Sequence, residues 1–250
     1  MHNLDPLWLL LAGFGGGLCG SVAGLASLVS YPALLATGLS PVSANVTNTV
    51  ALIFSSVGSV SASRPELQGQ RARLAQLAPA ALAGGGLGAL LLLVTPSSAF
   101  ARLVPWLIGA GAIAVVVPRR PPSSLPPHTG RSRALLTAGV FFVAVYGGYF
   151  GAAAGVVLLA LALHSTGETL ARSTALRNLL MGMANLAAAV GFAIWGPVHW
   201  ADAVPLGIGC LCGARLGPRI VRTVPATPLR LVISCAGLGL AVHLGLDAYR

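Results

Sequence analysis

The chain contains no lysine. It holds five carboxylates in 250 residues, and charged side chains make up 8% of it, against about a quarter in a soluble globular domain. A composition this poor in charge excludes an ordinary water-soluble fold. The carboxylates are Asp5, Glu66, Glu168, Asp202 and Asp247, and each falls near the end of an apolar segment or between two segments. No span therefore carries an acid at its centre that could relay protons. Gly-x-Ser-x-Gly, His-Glu-x-x-His, Walker A and paired-carboxylate patterns are missing too. Hydrolase and metalloprotease chemistry have no residues to stand on, so neither enzymatic activity, nor a metal, nor a cofactor is expected. The four cysteines (Cys19, Cys210, Cys212 and Cys235) lie in apolar segments and read as small packing residues.

What the chain does have is apolar length. Hydrophobic residues make up 56% of it and the mean hydropathy is +0.84. Apolar segments run at about 7–25, 26–38, 41–62, 74–94, 101–117, 134–155, 156–164, 171–195, 201–220 and 229–246. Most are long enough to cross a bilayer as helices, and none shows the two-residue alternation of a barrel strand. The fold class is an all-α integral membrane protein. The N-terminal "MHNLDPLWLLLAGF" lacks the basic stretch of a secretory signal and reads as the first span. The net charge of +10 comes from arginine alone. The arginines concentrate in short loops between apolar runs, as orientation in a membrane requires, and nucleic acid is not expected as a partner.

One apolar stretch, "STALRNLLMGMANLAAAVGF" at 173–192, carries the wrong residues for lipid. On a helix Arg177, Asn178, Met181 and Asn185 share one face, which should point into the bundle, at a partner or at something that passes through. That stripe has a counterpart. Gly20 and Gly24, a short apolar piece and then Asn48, Ser55 and Ser59 are followed later by Gly151 and Gly155, a short apolar piece and then Asn178 and Asn185. The glycine pairs match at one constant offset, and the polar stripes match at an offset one residue shorter. Thr47 stands where the second copy has Arg177. The chain therefore divides into a first transmembrane repeat at 1–117, a linker at 118–133 and a second repeat at 134–250.

Arginine placement orients the two copies. The loop after the polar-stripe helix carries Arg64, Arg71 and Arg73 in the first copy and no arginine ("GPVHWAD") in the second. The next loop has Arg102 in the first copy but Arg215, Arg219, Arg222 and Arg230 in the second. The bias is reversed, so equivalent loops lie on opposite sides and the repeats have inverted topology. This places 63–73, 118–133 and 215–230 in the cytoplasm, with 196–202 and both termini outside. Each repeat includes a short broken or re-entrant segment, 26–38 and 156–164.

Two broken helices meeting at a repeat interface, with unpaired amides at their restarts, make an anion site. An arginine adds a planar fork of donors that suits an oxyanion. The expected substrate-binding residues are Thr47, Asn48, Ser55, Arg177, Asn178 and Asn185, with Gly20, Gly24, Gly151 and Gly155 at the breaks.

The stretches "SYPALLATGLSPVSANVTNTVAL" and "YGGYFGAAAGVVLL…TALRNLLMGMANLAAAVGFAIWGPVHW" resemble the TauE/SafE sulfite exporter family over nearly the whole chain. The resemblance implies a multi-pass protein of a bacterial plasma membrane that moves sulfite, an organosulfonate or a similar small anion, often outward. The family's consecutive glycines ahead of the short segment are replaced here by Ser21, Val22 and Ala23 in one copy and by Ala152, Ala153 and Ala154 in the other. Expected partners are a small inorganic or organosulfur anion and the lipid bilayer, with a homo-oligomer left open. The rival readings are a transporter of a different small solute and a non-transporting membrane scaffold or accessory subunit.

Overall fold

The computed structural model describes residues 5–116 and 130–223, together with the helical positions Leu238, Val242 and Leu246. Most of the expected linker and of the apolar segment 229–246 lies outside the described residues, as do both chain termini. Among the described residues there are ten helices and no strand: α1 (Asp5–Ala23), α2 (Ala26–Ala36), α3 (Pro41–Ala62), α4 (Arg64–Leu67), α5 (Arg71–Val94), α6 (Ser97–Val116), α7 (Gly130–Tyr149), α8 (Ala154–Thr166), α9 (Leu170–Trp195) and α10 (Trp200–Thr223). Four of them, α1, α5, α9 and α10, are long and apolar enough to cross a membrane. Starts are set locally. Ser40 caps α3 by accepting from the Ser43 amide at 3.3 Å, with Pro41 at the first helical position, and Thr169 caps α9 by accepting from the Arg172 amide. The outward faces are apolar. Leu90, Val94, Trp106, Phe142 and Ile194 are exposed, and Trp195 and Trp200 flank the α9–α10 turn as interfacial aromatics do.

The two short helices fold back on their predecessors. Gly20 faces Ala26, Gly16 faces Ser30, and Trp8 Nε1 donates to the Ala33 carbonyl at 3.4 Å, so α1 and α2 form an antiparallel hairpin. In the second hairpin Gly147 faces Ala154 and Gly139 faces Leu161. The short arms have 11 and 13 residues, about 16–20 Å, well under the roughly 30 Å of a hydrocarbon core. The expected second segment at 156–164 begins earlier, at Ala154. The apolar run expected to continue to residue 155 stops at Tyr149, because 150–153 form the turn.

Glycine seams join the long helices. Gly13 and Gly17 lie against the backbones of Leu206 and Cys210, and Gly84 and Gly88 against those of Phe141 and Val145. Numbers rise together in both seams, so α1 runs parallel to α10, and α5 to α7. The same holds for α3 on α10 (Phe54 at Gly207, Gly58 at Leu211) and for α5 on α9 (Gly85 at Ala184, Ala89 at Gly191). The starts of α5, α7 and α9 therefore share one end of the bundle with the ends of α3 and α10. Arg64, Arg71, Arg73, Arg133, Arg172, Arg215 and Arg219 gather at that end, while Arg102 lies near the start of α6, beyond the far end of α5. There Glu168 accepts from Arg73 at 3.2 Å and from Arg172 at 2.7 Å, tying the α8–α9 turn to α5.

In lipid, helices gain from contact geometry rather than from water exclusion, so small residues carry these seams. A methyl on Gly85 would collide with the Ala184 backbone, whereas one on Gly86 meets nothing within 4 Å. Gly85→Ala is expected to cost about 1–3 kcal/mol by overpacking, and Gly86→Ala to leave stability unchanged or raise it by up to about 1 kcal/mol through helix propensity. Thermal melting of the two variants in detergent checks the contrast.

Candidate functional site

An interrupted helix leaves carbonyls without amides to meet them, and burial makes such orphans costly. In α1 the Gly20 carbonyl accepts from the Gly24 amide at 2.8 Å, and it and the Ser21 carbonyl are also met from the other half of the chain. Arg177, on α9 and 2% exposed, donates from Nη1 to the Gly20 carbonyl at 2.8 Å and from Nη2 to the Ser21 carbonyl at 2.9 Å. Asn178 Nδ2 adds a bond to the Ser21 carbonyl at 3.3 Å. A cation at a helix C-terminus also sits well in the helix dipole. In α7 the Tyr149 carbonyl is met by Asn45 Nδ2 of α3 at 2.8 Å, again from the other half.

Beyond Ala23 the chain reverses through Gly24, whose φ of +81° is the left-handed region that glycine tolerates. A Cβ there would fall 2.6 Å from the Gly155 carbonyl carbon and 2.7 Å from Arg177 Nη1. The two hairpin tips thus touch backbone to backbone beside the guanidinium. The second tip turns through Gly151 at φ +77° and Ala153 at φ +59°. A left-handed alanine costs about 1–2 kcal/mol, so the chain accepts strain at this tip. Leu25 and Ala153, the residues before α2 and α8, make no side-chain cap.

Against the tips lies a cavity of about 60 Å³, room for several waters or one small solute. Eight of the ten expected residues line it: Gly20, Gly24, Ser55, Gly151, Gly155, Arg177, Asn178 and Asn185. Thr47 and Asn48 are not on its wall. Thr47 lies on another side of α3, where its hydroxyl accepts from the His199 amide at 3.0 Å. Asn48 shares the face of Ser55 but is covered by α2: its Oδ1 accepts from Ser30, and its Nδ2 donates to Ser27 Oγ at 3.3 Å. Ser27 is the wall residue that Asn48 orients. The residues missed include Ser27, Thr49 and Ser56. The spacing 49, 52, 55, 56, 59 on α3 would have found two of them. Ser27 could not be found without knowing that α2 folds back.

Among the described residues the wall contains one ionisable side chain, Arg177. Five hydroxyls (Ser27, Thr49, Ser55, Ser56, Ser59) and two amides (Asn178, Asn185) accompany it, with Leu52, Met181 and Phe150 as the larger apolar surfaces. Thr49, Ser56 and Ser59 bond back to carbonyls of their own helix. Among the described residues Ser55 and Asn185 make no side-chain hydrogen bond, so their donors are available to a solute.

Long apolar helices, two interrupted hairpins with touching tips and a polar cavity beside them define a class: a multi-pass membrane protein with a solute-sized chamber inside it. The family follows from comparison. The model of the family described as Sulfite exporter TauE/SafE matches residues 9–244, and the chain belongs to that family. It is similar to the probable membrane transporter protein YfcA of Escherichia coli strain K12, at 28% identity over 100% of this chain and 94% of the relative. It is also similar to the probable membrane transporter protein ORF9 of Sinorhizobium sp., at 27% identity over 96% of this chain and 92% of the relative. A probable membrane transporter protein of Haemophilus influenzae matches at 27% identity over 92% and 91% of the two chains. No solved structure matches. The protein is a membrane transporter of the TauE/SafE family.

Position relative to the wall separates two polar residues of the bundle. Thr47→Val removes one hydrogen bond and is expected to lower stability by about 1 kcal/mol with solute uptake within about twofold. Asn185→Leu removes a wall amide and is expected to cut uptake about threefold to tenfold with melting little changed. Melting in detergent and uptake of a labelled transported solute into proteoliposomes read the two effects separately.

Proposed function

We propose that the cavity binds sulfite, an organosulfonate or a similar small oxyanion, and that the protein exports it by alternating access between two inverted repeats. The observation that carries this reading is the sign of the wall: among the described residues its one ionisable side chain is the buried cation Arg177. A buried guanidinium on the wall favours a negative solute. Ser55 and Asn185 offer donors to the oxygens of such an ion. The restarts of α2 and α8 turn the positive ends of their dipoles toward the same region. Leu52, Met181 and Phe150 leave an apolar side for the carbon of a sulfonate.

The repeat reading is supported by contacts that exchange between halves. If α1, α2, α3 and α5 correspond to α7, α8, α9 and α10, then the parallel pair α1–α10 corresponds to the parallel pair α7–α5, and α3–α10 to α9–α5. Both hairpins fold back at their glycines, and each tip is capped from the other half. The end that gathers seven arginines is the cytoplasmic one by the positive-inside rule, and the membrane is the bacterial plasma membrane.

The test is uptake of labelled sulfite into proteoliposomes against sulfate, methanesulfonate and alanine. Saturable sulfite uptake, competed by methanesulfonate and not by alanine, is expected. Arg177→Ala is expected to reduce it at least about tenfold, the weight of one charge-assisted hydrogen bond. Uptake competed by alanine instead, or an Arg177→Ala variant as active as the parent, would overturn the anion reading.

A further inference from the structure

The two interrupted helices present the same kind of end and satisfy it differently. At α7 the cap is neutral, the amide of Asn45 on the Tyr149 carbonyl at 2.8 Å. At α1 it is a full cation, with two guanidinium nitrogens on two successive carbonyls at 2.8 and 2.9 Å. A helix C-terminus carries about half a negative charge. In transporters built on discontinuous helices, the exposed carbonyls at such an end are where a coupling Na+ is coordinated. Here the chain's own side chain holds that place. Arg177 is buried, and its charge is permanent because guanidinium does not lose its proton in proteins. Its Nη1 also lies against both tip glycines, close enough that a methyl on Gly24 or Gly155 would fall 2.7 or 3.0 Å from it. It therefore sits between the carbonyl end of α1 and the cavity, with one side on each.

We infer that Arg177 is a resident cation at the first break, occupying the position of a coupling Na+, so that solute binding needs no Na+ there. The inference rests on the anion reading of the cavity. It makes Arg177 a positioning residue as well as a charge on the wall. It fixes the end of α1 and the contact of the two tips, and it supplies in tethered form the cation that other designs recruit from solution. A free ion of similar shape should then serve in its place once the tether is cut.

The experiment uses the full chain in proteoliposomes with labelled sulfite. With Na+ replaced by choline on both sides, wild-type uptake is expected to stay within about twofold, since no Na+ coordination contributes. Arg177→Ala is expected to lose about tenfold to a hundredfold. Millimolar guanidinium chloride should restore much of that uptake, and tetramethylammonium, which cannot donate hydrogen bonds, should not. Arg177→Lys keeps a point charge but not the fork, and intermediate uptake without added guanidinium is expected. Wild-type uptake that collapses without Na+ overturns the inference and leaves the anion reading standing. Uptake in a folded Arg177→Ala variant that guanidinium does not raise overturns it as well. No saturable anion uptake by the wild type under any cation overturns the anion reading itself. If Arg177→Ala fails to fold, as a melting curve would reveal, the wild-type Na+ replacement and Arg177→Lys still decide.

Discussion

A helix that stops inside a membrane leaves carbonyl oxygens that neither water nor lipid can satisfy. In this protein that constraint arises twice, at the ends of α1 and α7, and both times side-chain donors from the opposite half of the chain help to meet it. Arg177 and Asn178 reach from α9 to α1, and Asn45 reaches from α3 to α7. The polar residues on the two central helices, which look expensive in an apolar sequence, are what allow the breaks to exist. The cavity follows from them: two capped tips meet at Gly24 and Gly155, and the space beside them is walled by the same polar faces.

The glycine content answers a second requirement. The tips can touch only if the long arms carrying them are held closely, and in lipid no hydrophobic force presses helices together. Thirty-two glycines in the chain supply the seams at Gly13, Gly17, Gly84 and Gly88, where backbones meet with no room for a side chain. These seams join α1 to α10 and α5 to α7, that is, each hairpin to a long helix of the other half. The seams and the caps therefore act in one sense, interlocking the halves along their length and at their breaks.

Much of this was legible in the chain. The bounds of α3 agree with the apolar run at 41–62, the breaks fall at the glycine-rich joints, and the polar stripe of α9 faces inward. What periodicity reports is a position around a helix, not the neighbour that covers it. Asn48 and Ser55 share a face of α3, yet α2 covers one and leaves the other on the cavity. Thr47 corresponds to Arg177 in the repeat pattern, but one hydroxyl cannot reach across a break, and it holds the His199 amide instead. An arginine in an apolar run signals that something must stabilise it. That the stabilising groups are two carbonyls more than 150 positions away is a tertiary fact. The same holds for the return of α2 along α1, because a short apolar helix can continue or reverse with equal hydropathy.

The inter-half links differ in strength, and the difference bears on the proposed alternating access. At the arginine-rich end, Glu168 of the second half pairs with Arg73 of the first through side chains that are 26% and 27% exposed. Ion pairs open to solvent are worth a fraction of a kcal/mol to about 1 kcal/mol, so this link can be made and broken within a transport cycle. The Arg177 cap is buried, charged and doubly bonded, and breaking such a contact costs several kcal/mol unless a replacement is at hand. A cycle that opened the molecule at the tips would have to meet that cost at every turnover. One that opened at the exposed end would not. On the proposed mechanism the tips are therefore the pivot and the ion cluster is the part that gives way. The solute is then held beside the buried cap, and access to it changes around that point.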